Sequence, residues 1–201
     1  NKPADMPVHP SINNYDNTLA NGIAHYYQVQ GETFVFRCIN RLDRDTTGLL
    51  IIAKNALSAS ILSNQMKARE IHRTYLAVVS GIPKKEADTI TAPIARKENS
   101  AIERCVDFIN GERAVTHYQV VASKEDYSLL KLSLETGRTH QIRVHAKYIG
   151  NPLLGDYLYN PDFSRIQRVA LHSYSLSFIH PLTEQPMKFS APLPEDMASL
   201  F

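Results

Sequence analysis

Apolar residues recur along this chain with two periods, one typical of strands and one typical of helices. The unbroken apolar run at residues 49–53 predicts a short buried strand. A helix is predicted to follow, because Asn55 is a suitable N-cap and basic residues, Lys67 and Arg69, close the pattern favourably. The apolar residues that recur at helical spacing in this segment are Leu57, Ile61, Leu62 and Met66.

Strand patterns dominate the middle of the chain. Residues 73–80 are apolar and β-rich and predict a strand, and the charged residues 84–98 predict a surface excursion with one short strand. Residues 114–122 and 128–134 predict an antiparallel hairpin across a turn-like tetrapeptide. In its second strand Leu130, Leu132 and Leu134 alternate with Lys131 and Ser133, so one face is expected to be buried and the other exposed to solvent.

A second helix is predicted between Gly137 and Gly150, with Thr139 near its start. Helical spacing sets a cationic stripe, formed by His140, Arg143 and Lys147, apart from an apolar stripe, formed by Ile142, Ala146 and Ile149. One side of this helix is expected to pack and the other to carry charge. Residues 170–194 are again strand-like, so the pattern as a whole predicts an α+β protein with a largely antiparallel sheet.

Length and composition favour an ordinary globular domain. A length of 201 residues and an apolar content of 43% predict one domain that spans residues 1–201. Its first ten residues are polar and begin abruptly, which suggests that a strand upstream of residue 1 is missing from this sequence. Cys38 and Cys105 match no metal or redox spacing and predict free thiols in a reducing, cytoplasmic compartment. No run approaches the roughly 18 to 20 apolar residues of a membrane span, and monomer is the default oligomeric state.

Charge is distributed unevenly along the chain, although the net charge is only +2. Residues 37–73 hold seven basic and three acidic residues, and residues 138–147 add three basic residues with no acidic one. Segregation of this kind predicts a basic surface built from two distant segments, suited to contact with phosphate. A nucleic acid is therefore a candidate partner.

One segment combines acidic and basic side chains in a pattern that suits catalysis. Residues 40–48 read Asn-Arg-Leu-Asp-Arg-Asp-Thr-Thr-Gly, which sets Asp43 between Arg41 and Arg44. Neighbouring cations favour an ionised carboxylate, and an anion in a nucleic-acid cleft suits nucleophilic attack better than proton donation. Asp43 is thus the candidate catalytic residue. The alternative on this segment alone is a loop aspartate in a structural ion pair.

The same segment resembles the His-Arg-Leu-Asp-x-x-Thr-Ser-Gly signature of the RluA-type RNA pseudouridine synthases, in which the aspartate is the catalytic residue. Asn40 and Thr47 stand where the family has His and Ser. Further segments match the family in the same order along nearly the whole chain. They are Asn1-Lys2-Pro3 with Val8-His9-Pro10, where Asp5 replaces the usual Gly, then residues 72–81, 136–145 and 151–157, and finally Leu171-His172-Ser173-Tyr174 with residues 191–194.

The resemblance implies a fold and a set of roles. The fold would be the α+β synthase domain, a long bent, largely antiparallel mixed sheet with flanking helices and a central cleft. Asp43 would be the catalytic carboxylate, Tyr75 the ring that stacks on the target base, and Arg143 the ion-pair partner of Asp43. Leu42 and Ile142 would line the pocket. Arg41 would occupy the space that the base vacates, and the contacts with the RNA backbone would be made by Arg44, Arg138, His140 and Lys147.

No cofactor and no metal are implied. His145 and His172 lack a third ligand at a fitting offset, and single glycines do not make a phosphate loop. The expected activity is isomerisation of a uridine within RNA, with attack at ribose C1′, attack at the base and a glycal route all left open. Two alternatives remain: a noncatalytic RNA-binding module that keeps the fold, and an aspartate-dependent glycoside hydrolase, for which a second carboxylate is not apparent.

Overall fold

The computed structural model describes residues 1–12 and 14–201. They form two compact units. Unit 1 comprises Asn1–Arg73 and Ser173–Pro192, and unit 2 comprises Thr74–His172 and Leu193–Phe201. Each unit holds both strands and helical segments, so the predicted α+β class is confirmed.

The helices and strands after residue 54 largely follow the predicted order, but the helix at Leu19–Val29 was not predicted. The helices of the described residues are α1 (Leu19–Val29), α2 (Ala56–Ala68), α3 (Gln141–Tyr148) and the short α4 (Glu195–Ala198). The strands are β1 (Thr47–Gly48), β2 (His72–Ser80), β3 (Ala87–Thr91), β4 (Ile94–Arg96), β5 (Arg104–Val106), β6 (Val115–Ser123), β7 (Tyr127–Leu134), β8 (Leu171–Ile179) and β9 (Pro186–Ser190). Across this part of the chain, no helix has both the length and the apolar character that crossing a bilayer requires.

Strand pairing is largely antiparallel, as predicted. In unit 2 the strands lie side by side in the order β2-β7-β6-β3, and β4 pairs with β5 in a separate two-stranded sheet. The predicted hairpin is β6–β7, whose pairing is antiparallel with an irregularity between Val120 and Ala122. In unit 1, β8 lies between β1 and β9. The antiparallel pairing of β8 with β9 confirms the strand-like character of residues 170–194.

Each unit buries an apolar core of its own. In unit 1, α2 packs through Leu62 against Ile51, Ile71 and Leu176. In unit 2, one cluster gathers residues of β2 and β7 with Met197 of α4, and another joins Val144 of α3 to Ile94 and Tyr159. The alternation predicted for β7 is confirmed from Leu130 onward, where Leu130 and Leu132 are buried while Lys131 and Ser133 are exposed. Ser128 and Leu129, by contrast, are both buried. Burial of this kind is the main favourable contribution to folding.

Two predictions about local structure were wrong in detail. Residues 49–53 do not form a regular strand: β1 ends at Gly48, and Ile52 makes only an isolated bridge with Cys38. Residues 84–98 contain two short strands, β3 and β4, where one was predicted. The helix prediction was better, because α2 begins after its Asn55 cap, whose side chain accepts a hydrogen bond from the N–H of Ser58. Leu57, however, is exposed.

Gly48 lies where the chain leaves the segment that carries Asp43, and its backbone requires glycine. Its φ is +100°, and a Cβ placed there would lie 2.2 Å from the carbonyl oxygen of Ser173. We expect Gly48→Ala to lower the free energy of unfolding by about 2 to 3 kcal/mol, because it combines backbone strain with a clash against backbone atoms. Urea unfolding followed by circular dichroism measures this.

Gly22→Ala is the matched control for that substitution. Gly22 lies inside α1, and its added Cβ would meet nothing within 4 Å. Alanine should therefore stabilise the protein there by about 0.5 to 1 kcal/mol. Equal effects at Gly48 and Gly22 would contradict the steric explanation.

Candidate active site

Asp43 lies on a tight turn whose flanks are buried. The N–H of Thr46 donates to the carbonyl oxygen of Asp43 at 3.2 Å, which closes the turn. Leu42 on one side and Thr46 on the other are buried, Asp43 is half-buried, and Arg41 is exposed. The turn therefore holds a carboxylate at the protein surface on a backbone whose neighbours are fixed by packing.

Lys2 anchors this turn from the start of the chain. Its side chain is buried, and its ammonium donates to the carbonyl oxygens of Pro3 and Arg44, each at 2.7 Å. Its backbone exchanges hydrogen bonds with Gly48 in both directions, at 2.8 and 2.9 Å. One residue thus holds the Asp43 turn at two points. Lys2 belongs to the first of the matched motifs, but the sequence did not predict this role for it.

Arg44 and Asp5 form an ion pair beside the turn, with the Arg44 Nε 2.6 Å from the Asp5 Oδ1. Asp5 has a φ of 55°, in the left-handed region that glycine enters freely and aspartate tolerates better than most residues. This conformation accounts for the glycine that the related motif has at this position. Because both side chains are mostly exposed, the pair is weak.

Asn40 has a structural role at the position where the related motif has histidine. Its Oδ1 accepts a hydrogen bond from the N–H of Ile51 at 2.9 Å, and its carbonyl oxygen accepts one from the Cys38 thiol at 2.9 Å. The side chain is buried and ties the segment before the Asp43 turn to the segment after it. Burial also raises the pKa of the Cys38 thiol to about 11, so this thiol stays protonated near neutral pH.

Tyr75 lies on β2 in unit 2, where it faces Leu132 of β7 in the strand register. Only 4% of the residue is exposed. The structure therefore places this aromatic ring within the packed part of the strand, as the apolar pattern of residues 73–80 predicted. A role in base stacking requires that one face of the ring become accessible when RNA binds.

Arg143 is buried, which corrects the prediction that it shares a cationic side of its helix. Only 1% of its side chain is exposed. Its guanidinium forms a bidentate pair with Asp156, through Nε to Oδ2 and Nη2 to Oδ1, both at 2.8 Å. The rings of Tyr157 and Tyr159 lie 5.1 and 5.0 Å from its central carbon. A buried charge needs such partners. The motif at residues 151–157 contains Asp156 and Tyr157, but neither of them, nor Tyr159, was predicted to contact Arg143.

The other predicted basic residues of this region contact the protein itself. His140 is the N-cap of α3, in a left-handed conformation, and its Nδ1 lies 2.9 Å from the Tyr159 hydroxyl. The Lys147 ammonium lies 5.6 Å from the centre of the Tyr159 ring. Arg138 pairs with Glu112 at the surface. Burial raises the pKa of Tyr159 to about 12, so its hydroxyl remains a hydrogen-bond donor near neutral pH.

Ile142 and His145 face the interior from α3. Ile142 is buried, in agreement with the predicted packing side of the helix. The Nε2 of His145 donates to the carbonyl oxygen of Ala92 at 2.8 Å, and its Nδ1 lies 2.9 Å from the Thr116 hydroxyl, which donates to it. Burial lowers the pKa of His145, so this is a neutral core histidine with both ring nitrogens in use. Within residues 1–12 and 14–201, no cluster of three or more His, Cys, Asp or Glu side chains is suited to a metal ion.

The sequence matches a known family model and curated proteins over most of its length. Residues 1–148 match the model for RNA pseudouridylate synthase. An uncharacterized RNA pseudouridine synthase of Bacillus subtilis is 47% identical over 95% of this chain and 67% of its own length. A ribosomal large subunit pseudouridine synthase D of Zymomonas mobilis is 40% identical over 100% of this chain and 68% of its own length.

Solved structures resemble the fold. Human RNA pseudouridylate synthase domain containing 1 superposes with a TM-score of 0.77 at 27% identity, over 96% of this chain and 78% of its own length. Human RNA pseudouridylate synthase domain containing 4 has a TM-score of 0.80 at 22% identity, over 98% of this chain and 85% of its own length. The second likeness concerns the fold alone.

Proposed function

Since the chain belongs to the RNA pseudouridylate synthase family and is thus an isomerase that acts on RNA, we propose that it converts a specific uridine to pseudouridine with Asp43 as its catalytic carboxylate. One observation carries the assignment of Asp43. It is a half-buried carboxylate on a turn whose backbone is held by the buried side chain of Lys2 and by the pairing of Lys2 with Gly48. A catalytic group must be held in this way to act with a fixed geometry.

The reaction needs a protein group that acts on the sugar or the base, and it needs no second substrate besides the RNA. The bond from N1 of uracil to ribose C1′ breaks, the freed base rotates, and C5 bonds to C1′. The proton lost from C5 is balanced by the proton that N1 gains, so atoms and electrons are conserved without a cofactor. Asp43 supports attack at C1′, attack at the base, and a route through a glycal.

Tyr75 and Arg143 keep the roles that the family resemblance implies. Tyr75 stacks on the uracil and keeps the freed base from escaping, since stacking on a base contributes roughly 1 to 3 kcal/mol. Arg143 acts as the ion-pair partner of the catalytic carboxylate and orients it. Leu42 and Ile142 supply apolar walls, in keeping with their burial.

RNA is held through its backbone, and the target base is drawn out of its stack. Unstacking costs a few kcal/mol, which a loop or bulge reduces. Arg41 fills the vacated space, because a guanidinium stacks on bases and contacts phosphate. The surface pairs of Arg44 with Asp5 and of Arg138 with Glu112 are exchanged for phosphate contacts, and His140 and Lys147 add to them. Affinity then falls as salt rises.

We propose ribosomal RNA as the substrate, because the similar protein of Zymomonas mobilis is named for the ribosomal large subunit. Transfer RNA is the second choice. We propose that residues 1–201 act as one catalytic domain, working as a monomer in the cytoplasm.

The experiment that tests this function is incubation of the protein with unmodified ribosomal and transfer RNA. New pseudouridines are then mapped by reverse-transcription stops that depend on carbodiimide treatment. We expect stops at one or a few uridines of one RNA class, which would name the substrate. Salt-sensitive binding with no stops on either RNA pool would contradict the proposal and would favour a noncatalytic RNA-binding module.

A further inference from the structure

A solvent-open cavity of about 370 Å³ lies within unit 2, away from the Asp43 turn in sequence. The β4–β5 hairpin and the segment that precedes α3 both line it. Its charged lining residues are Arg96, Arg104, Arg138 and Glu112, and Asn110 adds an amide. Arg96, Arg104 and Asn110 lie outside every segment that matched the family motifs. The lining thus holds three guanidinium groups against one carboxylate.

The two arginines of the hairpin face each other across it. Arg96 of β4 and Arg104 of β5 are direct partners in the antiparallel register, so their side chains leave the same face of this small sheet. Like charges at directly opposed positions destabilise a strand pair. An anion bound between them would turn this repulsion into attraction. The Nη1 of Arg104 already donates to the carbonyl oxygens of Ile102 and Glu103, at 3.1 and 3.0 Å, which orients its guanidinium.

Nearby carboxylates do not neutralise this pair of arginines. Glu103 pairs with Lys97, its Oε2 lying 2.9 Å from the Lys97 ammonium. Asp107 accepts hydrogen bonds from the N–H groups of Ile109 and Asn110 within its own loop. Glu112 pairs with Arg138, but its side chain is 68% exposed, so that pair is weak. Among the described residues that line the cavity, Glu112 is the only carboxylate, so an incoming phosphate competes with it for Arg138.

We propose that this cavity binds a phosphate of the RNA backbone, held between Arg96 and Arg104 and joined by Arg138 once Glu112 is displaced. The planar guanidinium fork matches the oxygens of a phosphate, and the volume lies in the range of small-ligand sites. A contact of this kind fixes the position of the RNA and does not read its sequence. The inference rests on the proposed function in taking RNA as the ligand.

The test measures binding of a fluorescein-labelled RNA hairpin, with a uridine in its loop, by fluorescence anisotropy across a salt series. Arg96→Gln and Arg104→Gln should each weaken binding about five- to tenfold and lower the slope of log affinity against log salt by about one contact. Glu112→Gln should act in the opposite direction and tighten binding about two- to fivefold, because Arg138 loses its competitor. Misfolding would not weaken RNA binding in the arginine variants and tighten it in the Glu112 variant.

Arg165→Gln is the matched control, since it removes an arginine of the same unit that pairs with Asp126 and lies over the Tyr127 ring. It should leave the affinity within about twofold of wild type. Thermal melting adds a second readout. Arg96→Gln should melt at the wild-type temperature or above it, because it removes a like-charge pair. A purely structural role for Arg96 would lower the melting temperature.

The outcomes separate this inference from the proposed function. Cavity variants that bind like wild type would overturn the inference, and so would a wild-type protein that binds no RNA. Saturable binding of inorganic phosphate that Arg96→Gln abolishes, with RNA affinity unchanged, would also overturn it in favour of a small anion. If the cavity variants bind weakly while the wild type forms no pseudouridine, the phosphate site stands and the proposed activity fails.

Discussion

Asp43→Asn is expected to lower pseudouridine formation by about 10³-fold or more, with RNA affinity within about twofold of wild type. An amide has nearly the shape of the carboxylate but neither its charge nor its nucleophilicity. Binding should persist because it depends on basic groups that this substitution leaves in place. The measurement is single-turnover formation of pseudouridine on the mapped RNA, together with anisotropy for affinity.

Asp45→Asn is the control for that variant. Asp45 lies in the same turn, is also half-buried, and has its Oδ1 3.9 Å from the Nε of Arg44. The substitution removes one negative charge from the same turn, but it removes no proposed catalytic group. Activity within about tenfold of wild type is therefore expected. An active Asp43→Asn protein, or equal losses in both variants, would assign the chemistry elsewhere.

Asp156→Asn is expected to lower the free energy of unfolding by about 3 to 5 kcal/mol. The substitution removes the carboxylate charge that forms the bidentate pair with the buried guanidinium of Arg143. Asp156 also accepts hydrogen bonds from the N–H groups of Leu158 and Tyr159, at 3.0 and 3.2 Å, which the amide oxygen can keep. The loss should therefore come mainly from the charge. Urea unfolding at neutral pH, followed by circular dichroism, measures it.

A second arginine–aspartate pair provides a matched control. Arg168 binds Asp196 through the same two guanidinium nitrogens, Nε and Nη2, each at 2.7 Å. Asp196 is 44% exposed, whereas Asp156 is fully buried. Asp196→Asn should thus cost no more than about 1 kcal/mol. If the two variants lost equal stability, burial would not be what makes the Arg143 pair important.

Burial of this pair also determines how catalytic tests of Arg143 must be read. Substitution of Arg143 removes both its proposed effect on the catalytic carboxylate and its pairing with Asp156. A loss of activity in such a variant therefore has two possible causes. Arg143→Lys, compared with Asp156→Asn at temperatures where both remain folded, separates them, because the second variant keeps the guanidinium.

Local patterns in the sequence determined the elements and the motif positions. The N-cap at Asn55, the alternating leucines of β7 and the glycine after α3 each act through the backbone geometry of neighbouring residues. Such signals are complete within a few residues, so they could be read without a fold. The family resemblance predicted Asp43 as the catalytic residue in the same way, from a contiguous segment.

Tertiary structure alone decided which charged groups are buried and which face one another. Helical spacing placed Arg143 with His140 and Lys147, but Asp156 and two tyrosines beyond the end of the helix draw it into the interior. Arg96 and Arg104 are separated by a loop and meet only through the β4–β5 register. The periodicity of a helix or strand reports which residues share a face. The burial of a charge depends on partners that packing brings from elsewhere in the chain, and no local pattern contains them.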